Sequence, residues 1–237
     1  MRKIMFASIA ALGLAGTADA QGRNKKTLEG NGKLVTKEIS VSSFSALKAS
    51  GVYELRLSQG SKESVRIEAD ENLQEYFTVS NEGNVLVINT KKLNDVSLKT
   101  KNKMKVYVTF NKLKELELST VGNVACDQQL AFDNLHLKNK SVGNVDLKLT
   151  ASKLDLHNSS VGNVKLNGKA QDAVVKNSGV GSLDAGSFVV ETMNIDNSGV
   201  GNAEVNAQKN LKVKDSFLSK VKNKGAAPVR KMNKVRV

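Results

Sequence analysis

Five residues have the types and spacing needed for chemistry: Glu115, Glu117, His136, Asp155 and His157. The chain has only two histidines, and both are in this group. Imidazole beside carboxylates is a common arrangement for general acid–base work near neutral pH, and it can also hold a metal. Counted from a recurring valine, the position six residues before reads Glu115, His136, Asp155, Val174, Asn194, Lys212. The position four before reads Glu117, Lys138, His157, Lys176, Asp196, Lys214. On strands stacked side by side each set becomes a column, and the two columns share one exposed face. Such a face normally carries charge, and opposite charges in neighbouring strands support the ladder with no ligand. His136 between Glu115 and Asp155 meets that description, and no loop insertion marks a cleft around it. The column four residues after the valine (Ala125, Asp146, Lys165, Asp184, Glu204, Lys222) alternates in sign as cross-strand ion pairs do. The sequence therefore assigns no catalytic residue, no metal and no cofactor, and keeps the five residues as one patch to inspect.

The elements that must position this patch are written in a repeat, clearest at Asn158-Ser159-Ser160-Val161-Gly162-Asn163-Val164. Related stretches centre on Val121, Val142, Val180 and Val200, with a decayed copy at Leu218; these positions are 21, 19, 19, 20 and 18 residues apart. A fixed period near 20 is a solenoid signature. Seven and five residues before the centres from Val142 onward, and three and five after those from Val121 to Val200, the residues are apolar: Leu154 and Leu156, then Val164 and Leu166, in the clearest copy. Period two on both sides means two short strands per repeat with one inward face. No room remains for a crossover helix, so the expected fold is all-β, a parallel β-helix-like solenoid of about six regular coils of ~20 residues. At ~4.8 Å per strand such a stack is about 29 Å long.

Corner chemistry agrees with this reading. Gly122, Gly143, Gly162, Gly181 and Gly201 recur where a Cβ would be excluded. Asn123, Asn144, Asn163 and Asn202 follow them as one column, with Ser182 in the gap. Asn139, Asn158, Asn177 and Asn197 form a second column. Stacked amides can bond along the axis, and these columns are expected to be structural Asn ladders rather than a ligand site.

Read from its start, the chain opens with basic Met1-Arg2-Lys3, a short apolar run and Ala18-Asp19-Ala20, the layout of a signal peptide over residues 1–20. Gln21 rather than a cysteine stands directly after the cleavage site, and no later run is long enough for a transmembrane segment, so the expected product is exported: periplasmic, cell-surface or extracellular. Residues 21–33 read as a flexible lead-in. Residues 34–224 form one β module, irregular over 34–112 and regular over 113–224, and 225–237 is a basic cap or tail. In the irregular half, alternating runs near 52–57, 64–69, 85–88 and 105–109 read as strands. Asn81-Glu82-Gly83-Asn84 reads as a hairpin turn and Glu71–Phe77 as one helical turn.

The formal net charge is +13, and loss of residues 1–20 leaves +12. Only six of the 36 cationic residues are Arg and Trp is absent, which argues against specific nucleic-acid readout and for a solvated lysine face. The single cysteine, Cys126, permits no internal disulfide and occupies an inward position.

The tandem Asn-Ser-Gly-Val-Gly-Asn corners, downstream of a β-rich segment and a secretory leader, resemble the bacterial family described as putative auto-transporter adhesin, head GIN domain, over about residues 39–224. The resemblance implies a right-handed β-helix-like domain in an exported envelope or surface protein, and it brings no catalytic residues. The resulting expectation is a non-catalytic, adhesin-like binding module for a glycan or an envelope protein, of open oligomeric state. The alternatives are a polysaccharide-acting β-helix enzyme and a purely structural, self-assembling rod.

Overall fold

The computed structural model describes residues 26–93 and 96–232; the signal-peptide reading of residues 1–20 lies outside them. The fold is all-β, with two short 3-10 turns at Glu71–Tyr76 and Lys91–Leu93. Four long strands carry the repeat: Val145–Asn158, Val164–Asn177, Leu183–Asn197 and Ala203–Asp215. Each pairs in parallel with the strand one repeat later, Leu156 on Val175, Val175 on Ile195 and Ile195 on Val213. Leu130–Asn139, Glu115–Val121 and Val124–Cys126 extend the same stack towards the amino terminus.

These strands are longer than the two short ones expected per repeat. In Val145–Asn158 the alternation of Val145, Leu147 and Leu149 runs through an exposed bend at Ser152–Lys153 and resumes at Leu154 and Leu156. One hydrogen-bonded ladder therefore turns a corner that the apolar pattern alone reads as a break. All twenty inward positions read from the repeat are buried, Cys126 among them. Phe132, Leu149, Phe188 and Val190 add a further buried wall that the period-two pairs did not include. The central valines point the other way. Val121, Val142, Val161, Val180 and Val200 bridge one to the next in parallel, and each remains about half exposed.

The irregular half joins the same sheet. Ala46–Val52 pairs in parallel with Glu115–Val121 on one side and Val85–Asn89 on the other. Glu54–Gln59 likewise lies between Val124–Cys126 and Lys105–Phe110. Antiparallel strands finish this end: Thr78–Glu82 folds back on Val85–Asn89 through Gly83-Asn84, and Leu34–Ile39 pairs with Ser64–Asp70. The sixteen-stranded sheet so formed curls nearly to closure, leaving a seam.

Composition misled at one place. Within the lead-in read as flexible, Lys26–Glu29 pairs in parallel with Val96–Lys99, and Leu28 packs against the core. A single apolar contact of high sequence separation leaves no local signature. At the other end, Val229–Lys231 pairs with Leu211–Val213 as a last strand, and residues 233–237 lie outside the described ones.

Candidate functional site

The strand register sets Glu115 beside His136 and His136 beside Asp155, while Lys138 lies beside both Glu117 and His157. Asp155 is the hub of the patch. Its Oδ2 lies 3.2 Å from His136 Nδ1 and its Oδ1 lies 3.2 Å from His157 Nε2, the latter off the hydrogen-bonding direction. The two imidazoles meet edge to face with centroids 5.2 Å apart. Glu115 and Glu117 form no ion pair with them among the described residues. One carboxylate thus bonds one ring and lies close to the other, and no group of three or more potential metal ligands is assembled among the described residues.

The surroundings of the patch depart from the flat wall the sequence suggested. A concavity of about 960 Å³ opens beside it, lined by Lys112, Lys114, Glu115, Asp133, His136, Lys153 and Asp155, with Phe132 and Leu113 as its apolar part. Gln59 builds one side. Its Nε2 donates to the carbonyls of Asn111 and Ala131, both at 3.0 Å, and its Oε1 accepts from the Ala131 amide at 2.7 Å. Gln128 Nε2 donates in turn to the Gln59 carbonyl at 2.7 Å. Phe132 stacks on Phe110 with centroids 5.8 Å apart. The turn before Glu115 and the start of Leu130–Asn139 are thereby held apart at a fixed width. A shallower groove of about 410 Å³ continues past His157, lined by Glu117, Lys138, Lys140, Lys176, Ser159 and Ser178. None of these three lysines forms an ion pair among the described residues.

The corner residues lie away from this concavity. Gly122, Gly143, Gly162, Gly181 and Gly201 all have φ between 129° and 147°, and at Gly162 a Cβ would lie 2.2 Å from the Gly143 carbonyl oxygen. In the column after them, Asn123, Asn144 and Asn163 each accept through Oδ1 from the backbone amide one repeat later, at 3.0 Å. Asn202 follows Gly201 in the same corner. The second column is buried. Asn139 Nδ2 donates to Asn158 Oδ1 at 2.8 Å, Asn158 to Asn177 at 2.7 Å and Asn177 to Asn197 at 2.6 Å. These bonds run between buried side chains, so the inner column ties successive repeats together from within.

The family model described as putative auto-transporter adhesin, head GIN domain matches residues 43–227. A crystal structure of a putative adhesin from Bacteroides fragilis is 29% identical, with a TM-score of 0.72, and covers 86% of this chain and 100% of its own. A putative lipid binding protein and a putative adhesin, both from Parabacteroides distasonis, share the fold at 17% and 20% identity. Their TM-scores are 0.57 and 0.52; they cover 88% and 87% of this chain and all of their own. No curated protein sequence matches the chain.

Proposed function

Because the chain belongs to the putative auto-transporter adhesin, head GIN domain family, we propose that it is an exported, non-catalytic binding module of the cell envelope or surface. Its scaffold is a right-handed parallel β-helix-like solenoid, and its ligand is a glycan or a protein. The observation that carries the reading is the concavity of about 960 Å³, whose width is fixed by Gln59. Rigid concave sites with a few polar groups and an apolar patch suit recognition without rearrangement. Its alternating lysines and carboxylates can hydrogen-bond hydroxyls, and Phe132 with Leu113 gives it a mostly buried apolar floor. The Lys138–Lys140–Lys176 groove beside it favours a ligand that carries carboxylate or sulfate.

Within the patch Asp155 is already engaged by a hydrogen bond with His136, and His157 lies 3.2 Å from its other oxygen. A polysaccharide-acting enzyme is the second reading, supported by the approach of Glu115, Asp133, Asp155 and His136 to one cavity. A self-assembling rod is the third.

A glycan-array screen of the purified chain at near-physiological and at high salt separates these readings. Selective binding that persists in salt and is lost in Lys112→Gln with Lys153→Gln is the expected result. Cleavage of a bound glycan would replace it with the enzyme. Absence of any ligand, together with concentration-dependent oligomers, would replace it with the rod.

A further inference from the structure

The last described layer of the stack, residues 216–232, has a composition unlike the rest of the chain. It contains five cationic residues, Lys220, Lys222, Lys224, Arg230 and Lys231, and no Asp or Glu. The layer beneath it supplies the counter-charges from Glu204 and Asp215, which pair with Lys222, Lys224 and Lys231. Lys220 and Arg230 have no such partner among the described residues. The last layer therefore carries only cationic charge, and the carboxylates that pair with it belong to the layer beneath.

On the same layer, Phe217 is 96% exposed and Leu218 63% exposed. Among the described residues Phe217 is the most exposed large apolar side chain. Val229, on the last strand, is also exposed. The tip is held by its base rather than left loose. Ser216 and Ser219 bridge antiparallel, their hydroxyl oxygens 2.9 Å apart, and buried Ser219 donates from Oγ to the Asn197 carbonyl. Gly201 N donates to the Leu218 carbonyl at 3.3 Å. Two large apolar side chains thus project from an anchored turn, on the layer that carries Lys220 and Arg230.

We propose that this end docks on an anionic lipid surface, with Phe217 and Leu218 entering the apolar layer while Lys220 and Arg230 face the headgroups. Apolar anchors combined with a cationic rim match both layers of such a surface, and either alone binds it weakly. A second copy of the chain fits poorly, because two layers of five cations would face each other and lysine-bearing edge strands oppose strand addition.

The test uses the full purified chain and vesicles of phosphatidylcholine with or without phosphatidylglycerol. Cosedimentation is expected with the anionic vesicles, at least about tenfold tighter than with phosphatidylcholine alone and falling as salt rises. Phe217→Ser with Leu218→Ser is expected to weaken it about tenfold, with an unchanged melting temperature because neither side chain is packed. Lys220→Gln with Arg230→Gln is expected to weaken binding and flatten its salt dependence. The chain contains no Trp, so Phe217→Trp places a single reporter at the tip, and its emission should shift to the blue on anionic vesicles only. Binding equal in the serine variant and the parent, or a reporter that stays solvent-exposed while bound, would overturn the proposal. So would a concentration-dependent dimer that the serine substitutions abolish.

Discussion

At the scale of single residues, the same residue type carries different costs in different places. Gly162 has φ +134°, and an added Cβ would strike backbone of the neighbouring repeat. Gly162→Ala is therefore expected to cost roughly 3 kcal/mol or more, since strain and a backbone collision act together. Gly83 has φ +60° with open space around it, so Gly83→Ala should cost about 1 kcal/mol. Chemical denaturation of both variants checks the contrast. Asp70 is a buried carboxylate held below the usual range chiefly by Asn102, with Thr100 Oγ1 donating to it at 2.7 Å. The fold prefers its charged form, so its contribution is complete above the unfolded value near ~3.9 and is lost as pH falls through the lower folded value. Thermal melts of the parent should accordingly drop more steeply below about pH 4 than those of Asp70→Asn. Burial pushes the Cys126 thiol up, against a smaller opposing effect of the Lys148 backbone. Its modification by a thiol reagent should thus be slow in the native protein and fast in denaturant.

At the scale of elements, the two asparagine columns differ by burial. Asn158→Ala would leave the Asn139 amide and the Asn177 carbonyl unpaired in the interior and remove the acceptor of Ser160 Oγ. A loss of about 3 kcal/mol is expected. Asn163 is exposed and its partner amide on Ser182 can turn to water, so Asn163→Ala should cost less than about 1 kcal/mol. Leu156→Asp places an unpaired charge between Leu137 and Val175 and should abolish the cooperative melt followed by far-UV circular dichroism. The inward faces were legible because period two and period twenty coincide at residues such as Leu156 and Val175. The hairpin at Gly83-Asn84 was legible from its turn residues. The width of the concavity was not, because Gln59 reaches Ala131 across 72 positions and no pattern links them. The continuity of the long strands was hidden for a different reason: the apolar pairs stop at Leu147 and resume at Leu154, although one strand spans both.

At the scale of the whole molecule, each repeat is bound to its two neighbours and to little else. Residue 158 meets residue 177 and residue 177 meets residue 197, and the same holds down the core columns. In such an arrangement stability is close to a sum over adjacent layers. Excision of residues 159–177 would join Asn158 to Ser178 and bring Asn139, Asn158 and Asn197 into one line. The shortened chain is expected to melt cooperatively at a lower temperature, which calorimetry would measure. The five positive-φ glycines make the corners interchangeable in shape, because each corner rests on backbone rather than on a particular side chain. A gene encoding such a chain can therefore gain or lose one unit by unequal crossing-over and still specify a foldable protein. Reach is then a heritable variable that selection can adjust in steps of one strand spacing, while both ends of the molecule stay as they are.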